Sequence, residues 1–567
     1  MATDRTIRLT MAAHAGRQVE RYSLGTWWFL RGLGLVYLVA FWSLHQQGPG
    51  LIGPEGILPA GDYLTELAAS ADASGVGAER YRLVPTLLWF SSEDAMLRGL
   101  TTVGIVLSVL LAAGVAPALV LPPLWVGYLS LAVGARDFLS FQWDGLLLEA
   151  GLLAMLVCPL RWRHRRADWH DPSPVGRWLI WWLVMRLMFG SGLAKLASDD
   201  PSWATFTAVA VHYETQPLPT PLAWFAAQLP LWFHRLSTAL VLVVELVVPW
   251  GIVAGARPRR VAAAGLIALQ LLIALTGNFA FFNLLSVALC FTLLDDRLLA
   301  GIRGIGVPEG AREPATAGGR LDPTTPPSRA VPLRRHLVPL LGAVVIVPVS
   351  LLAFSRQPRA AAPEPLQHLA EFVRPFRSIN SYGLFAVMTT TRREIVIEGS
   401  MDGTTWRAYE FRHKPVDVSK RPAWVAPFQP RLDWQMWFAA LGPSDGEPWF
   451  WWFARRLLEG SQPVRGLLAT DPFRGARPRF VRATLYRYRF SRWGSPDWWI
   501  RERLGEYLPP MSLDDAGASG GALPPAHILP NTSRNDARCS SLPSMSSSAP
   551  RGSTVSDVSG AMSSSPC

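Results

Sequence analysis

FLSFQWDGLLLEAGLLAMLVCP, residues 138–159, has the length and composition of a membrane span, yet it keeps two acids. About 17–25 mostly apolar residues suffice to cross a bilayer. A charge at mid-bilayer costs at least ~2.5–3.5 kcal/mol on insertion scales, so a retained carboxylate faces the bundle interior and finds a partner. Asp144 falls in the first turn of such a helix, where a carboxylate caps free N–H groups and opposes the helix dipole favourably. Glu149 is the costly one, roughly 7.5 Å deeper at 1.5 Å per residue. It shares a helical face with Gln142, seven residues back, so a polar stripe runs inward along the span.

The chain around this stretch has the same character. Of 567 residues 50% are hydrophobic, with 25 Trp and 25 Phe, and only 17% are charged, which is too apolar for a soluble protein of this length. Nine candidate spans lie near 28–44, 99–116, 118–134, 143–160, 178–196, 236–255, 261–276, 279–294 and 337–354. With the Arg-rich N-terminus inside, the connection 45–98, with seven acids against three arginines, falls outside. The basic connections RWRHRRADWHDPSPVGR (161–177), RPRR (257–260) and 295–336 then all fall inside, as the positive-inside rule requires. An odd number of spans puts everything after about 355 on the outer side.

The formal charge of +12 is carried by arginines at the ends of apolar segments, a pattern that orients spans and excludes a nucleic-acid partner. Cys158, Cys290, Cys539 and Cys567 are scattered and form no CxxC pair, so thiol chemistry is not indicated. No cleavable signal peptide precedes the first span. The expected organisation is a cytoplasmic N-terminus (1–26), a transmembrane helical domain (27–356), an outer or lumenal β-rich domain (372–510) and a disordered tail (511–567), which is rich in Ser, Pro, Gly and Ala.

From 372 to 510 the texture changes. REIVIEGSMDGTTWRAYEFRH (393–413) alternates, turns at Asp402-Gly403 and resumes, which predicts a β-hairpin. ATLYRYRF (483–490) sets Tyr486, Tyr488 and Phe490 on one face of a strand and Arg487 and Arg489 on the other. An amphipathic helix is expected at 447–459, and the whole reads as a mainly-β, sandwich-like domain. Its PWFWWF segment offers Trp449, Phe450, Trp451 and Trp452 as an exposed aromatic surface for a client protein.

Within the spans the ionisable residues are Arg31, Glu149, Arg186, Lys195 and Glu245, with Glu149 and Arg186 a pair on adjacent spans. Two readings apply. One is an interior polar layer that fixes helix register; the other is a functional cluster of Asp144, Glu149, Arg186, Lys195, His212 and Glu214. His212 and Glu214 open the segment HYETQPLPTPLAWFAAQLP (212–230), which is either a client-facing surface or a stretch lying on the bilayer. There is no HExxH, no Cys/His cluster and no nucleotide-binding glycine loop, so neither metal nor cofactor is expected.

These residues resemble a known family. YRLVPTLLWF (81–90), FLSFQWDGLLLEAG (138–151), RLMFGSGLAKLASDDPSW (186–203), HYETQPLPTPLAW (212–224) and FRSINSYGLFAVMTTTRREIVIEGSMDGTTW (376–406) are similar, in matching order, to the lipase maturation factor family. The resemblance implies a polytopic membrane protein, resident in the endoplasmic reticulum in animals, that assists dimeric lipases of the lipoprotein lipase type. Bacterial members imply a plasma-membrane location instead. It implies no catalytic residues, and it links the C-terminal domain to client handling.

The expected function is thus a membrane-anchored maturation factor for a secreted client. The alternative is a membrane-embedded enzyme similar in plan to vitamin K-dependent carboxylase-like proteins, acting on a lipid or a secreted chain. The enzyme reading requires Glu149, Arg186, Lys195 and His212 to converge on one cavity.

Overall fold

The nine apolar windows correspond to nine helices among the described residues. The computed structural model describes residues 21–166, 171–302, 334–355 and 361–518. The expected cytoplasmic segment up to residue 20, most of the basic connection 295–336 and the expected disordered tail from 519 lie outside the described residues. The helices are α1 (Ser23–Ile52), α2 (Asp94–Ala113), α3 (Pro117–Gly134), α4 (Gln142–Val157), α5 (Pro174–Leu196), α6 (Leu231–Leu246), α7 (Ala256–Thr276), α8 (Phe282–Phe291) and α9 (Arg334–Ser355). Seven of these segments are long and apolar enough to cross a membrane, α6 through its continuation to Ile252 and α9 from His336. The exceptions are α4, with 16 residues, and α8, with 10.

The two short helices are largely enclosed. Leu146, Leu147, Leu148, Ala150 and Leu153 of α4 have no exposure, nor have Leu285 and Leu289 of α8. The perimeter helices instead leave apolar side chains outward, such as Val103 and Val106 of α2 or Leu341 and Val344 of α9. In a bilayer those faces meet acyl chains, where Val and Leu are at home. Close packing of α1 on α2 depends on Gly34, because a Cβ there would lie 2.6 Å from the backbone nitrogen of Ala112.

The bundle has two distinct ends. Where α1 begins, the backbone N–H groups of Ser23 and Leu24 donate to Asp296 at 3.1 and 2.8 Å, and Arg31 donates to the carbonyl of His164. An anion at a helix N-terminus opposes the helix dipole favourably. Burial, with Asp171 and Asp295 nearby, still raises the Asp296 carboxyl to about 6. Where α1 finishes, Ser43 and Gln47 donate to the carbonyl of Gln429 at 2.7 Å each, which docks the C-terminal region.

That region holds one antiparallel sheet of four strands, in the order β2-β1-β3-β4: β1 (Arg392–Ser400), β2 (Trp406–Ala408), β3 (Phe480–Phe490) and β4 (Trp499–Met511). The expected hairpin is β1–β2. Gly403 adopts a φ of 76°, and Asp402 Oδ1 accepts from the amides of Thr404 and Thr405 at 2.8 and 2.7 Å. A second sheet, which a sandwich needs, is not found among the described residues. Helices α10 (Arg431–Ala439) and α11 (Pro448–Glu459) pack against β1 and β3 instead. Met511 ends β4 and Leu513–Ala518 is helical, so ordered chain continues past the boundary expected at 510.

Candidate functional site

The costly residues of the spans meet one irregular segment, FRSINSYGLFAVM (376–388), which lies against α4 and α5 as a strap. Ser, Asn and Gly interrupt any apolar period there, so its backbone groups are left free to bond outside regular structure. Glu149, on the inward face of α4, forms a fully buried ion pair with Arg186 of α5. Its second oxygen accepts from the Tyr382 hydroxyl at 2.7 Å and from the Asn380 backbone N–H at 3.1 Å. Arg186 in turn donates to the Asn380 carbonyl at 2.9 Å. Burial and the neighbouring Glu149 carboxylate hold the Tyr382 phenol well above its usual range, so it remains a donor.

Further along the strap the second pair repeats the arrangement. Lys195 Nζ lies 3.0 and 2.8 Å from the two carboxylate oxygens of Glu245 on α6, and donates to the Leu384 carbonyl at 3.0 Å. The Gly383 N–H donates to Gln142, which makes the polar stripe of α4 a row of strap contacts. Trp203 donates to the Phe385 carbonyl, and Asp200 accepts from the Met388 N–H.

Asp144 departs from the sequence reading. It lies in the first turn of α4, as expected, but its carboxylate is engaged away from that turn's amides. Instead it accepts from both terminal nitrogens of Arg431 at the start of α10, at 3.0 and 2.9 Å, and from the Tyr128 hydroxyl. A bidentate guanidinium–carboxylate contact is both stronger and more directional than a cap to a backbone N–H.

His212 and Glu214 lie on the short helix Ala208–Thr215 and serve different contacts. The His212 ring stacks on Phe279 and meets Phe385 edge-on at 4.7 Å, and burial together with Lys195 lowers it to about 4, so it is neutral at physiological pH. Glu214 accepts from the Phe490 N–H at 2.8 Å, at the end of β3, and burial raises its carboxyl. The carbonyls of Glu214, Gln216 and Pro217 all accept from Arg392 of β1.

The aromatic segment expected to face a client turns inward. Trp449 and Phe450 are each 1% exposed, and Trp451 and Trp452 are half-buried. Trp449 packs edge-on against Phe138, and Phe450 against Tyr507. The amphipathic helix was legible, but its aromatic face is the one that seals the domain.

Arg431, Arg392, Asn380, Tyr382 and Asn278 were not singled out from the sequence. Asn278 ties the bundle to the chain before α10, accepting from the amides of Val425 and Ala426 and donating to the Ala423 carbonyl at 2.8 Å. Nothing local marks Asn278 or Arg431. Asn380 and Tyr382 fall inside a segment already conspicuous for its polar residues between apolar ones.

Three of the residues named for the enzyme reading, Glu149, Arg186 and Lys195, are taken up in buried ion pairs. Glu149 with Arg186 and Lys195 with Glu245 are separate pairs, each closed by strap carbonyls or donors, and His212 is packed among phenyl rings. None of them lines the apolar groove of about 340 Å³ between α5 and α9, bounded by Trp178, Trp182 and Val347. No group of three His, Cys, Asp or Glu suited to a metal occurs among the described residues.

Residues 24–301 match the family described as lipase maturation factor transmembrane domain, and 378–509 match lipase maturation factor C-terminal domain. The chain is 37% identical to human lipase maturation factor 2, over 86% of its own length and 82% of that protein. It is 36% identical to the chicken lipase maturation factor 2 (87% and 82%), and 35% identical to bovine lipase maturation factor 1 (87% and 91%). No solved structure matches.

Proposed function

The chain belongs to the lipase maturation factor family, and from that premise we propose that it is a non-catalytic, membrane-anchored factor that assists the folding or assembly of a secreted lipase. The observation that carries this reading is the use made of the intramembrane charges. Glu149, Arg186, Lys195 and Glu245 are spent on holding the strap and thereby the C-terminal domain. A protein built this way is a rigid platform at a membrane surface, and a platform suits the capture of a partly folded chain better than it suits turnover.

On this reading the C-terminal domain is lumenal or extracytoplasmic and the N-terminus cytoplasmic. The support is electrostatic. The basic segment around His164 and the Arg257–Arg260 run lie at the end of the bundle where α1 begins, opposite the docked domain. In an animal-type cell the membrane would be that of the endoplasmic reticulum, and in a bacterium the plasma membrane.

The test is co-expression with a secreted dimeric lipase of the lipoprotein lipase type in cells lacking their own factor. A rise in secreted lipase specific activity over that given by an unrelated multi-pass membrane protein, together with co-purification of the lipase, is the expected result. Equal specific activity in the two arms overturns the proposal.

A further inference from the structure

The lipid-facing surface of α6 does not stop where the helix does. Trp232, Leu236, Leu240, Val243 and Val247 form one exposed apolar stripe along the span, with Trp232 67% exposed. Trp250 lies exposed at its other end. Trp232 and Trp250 are eighteen residues apart, about 27 Å at 1.5 Å per residue, close to the ~30 Å hydrocarbon thickness. Tryptophans at both ends of a span mark the two membrane–water boundaries.

Beyond Trp232 the apolar strip continues through Leu229 and Phe225, both exposed, onto the loop that joins β3 to β4. Phe225 meets Trp493 of that loop at 5.3 Å and Trp224 meets Trp498 at 5.1 Å, while Gln228 donates to the Ser491 carbonyl at 3.1 Å. The loop is therefore fixed one short helix away from the membrane boundary. Trp493 is 72% exposed at its tip, which is costly for an indole facing water but ordinary for one in a headgroup layer. Arg492 beside it and Arg235 on α6 are also exposed, in reach of lipid phosphates.

We propose that the β3–β4 loop is a membrane anchor: Trp493 sits in the headgroup layer of the leaflet on the side of the β-sheet, with Arg492 and Arg235 against phosphates. The partner is the bilayer itself, because the strip is continuous with a face that already borders acyl chains. The sheet is then held against the membrane by the strap on one side and by this loop on the other. The inference concerns how the domain sits and does not depend on which client, if any, it receives.

The full-length chain in phosphatidylcholine nanodiscs tests it by photo-crosslinking. p-Benzoylphenylalanine replaces Trp493, with Leu240 as a lipid-facing reference and Thr404, in the β1–β2 turn, as a water-facing one. The expected result is a mass increase of one phosphatidylcholine at 493 and 240 and none at 404. An adduct at 240 without one at 493, or a protein–protein cross-link at 493 in its place, overturns the proposal. The change is confined to a surface loop, and the adduct at 240 on a separate chain reports that the nanodisc preparation is sound.

Discussion

Asp144 of the fourth membrane helix and Arg431 of the C-terminal domain, 287 residues apart in the chain, form a buried two-point contact of 2.9 and 3.0 Å. An acid inside the bundle is thus balanced by a base that arrives only when the second domain docks. Membrane region and β-domain are energetically one body through this contact and the strap.

Arg431→Met leaves the Asp144 carboxylate buried and uncompensated, a loss of about 3–5 kcal/mol. Asp144→Asn combined with Arg431→Met removes both charges and recovers much of that loss. Thermal unfolding in detergent checks both variants. A single variant as stable as the parent would show that the contact carries no weight.

Tyr382→Phe removes one of the donors to Glu149 while keeping the ring, at a cost of about 1–2 kcal/mol. The effect concentrates on the strap, so amide hydrogen exchange of 378–388 accelerates more than that of α4. Uniform acceleration across the bundle would instead mark a general loss of packing.

Asp296 gives the chain a pH dependence. Its carboxyl is raised by burial to about 6, whereas an unfolded Asp titrates near about 3.9. Between these values the folded chain holds a proton that the unfolded chain has lost, so stability falls as pH rises through that window and is restored on acidification. The full span corresponds to up to about 3 kcal/mol. Asp296→Asn flattens this part of the profile in thermal melts from pH 4 to 7; an unchanged profile assigns the titration elsewhere.

Trp449→Ala opens a cavity beside Phe138 and costs about 3–5 kcal/mol. Trp451→Ser, at a half-buried position, costs far less. If Trp449 served client contact and not packing, its variant would keep the parental melting temperature while losing lipase co-purification.

Much of this protein was legible in its residues. Hydropathy located nine helices, because a helix in lipid must satisfy its own backbone and present an apolar surface, and both demands are local. The alternation of ATLYRYRF marked β3, and Asp402-Gly403 marked the β1–β2 turn, for equally local reasons. The expense of Glu149 and Arg186 announced that they needed partners, and their places on successive spans made them each other's.

Tertiary structure decided which partners were taken. Asp144 had a local option, the amides of its own first turn, and only the docked domain supplied the stronger one in Arg431. Lys195 and Glu245 were both conspicuous, yet nothing in sequence joined them across fifty residues and the long connection between α5 and α6. The aromatic face of α11 had a helical period that said it would be covered, without saying whether by a client or by Phe138 and Tyr507. Local pattern reports the cost of burying a group; which distant atoms repay it depends on how the whole chain closes.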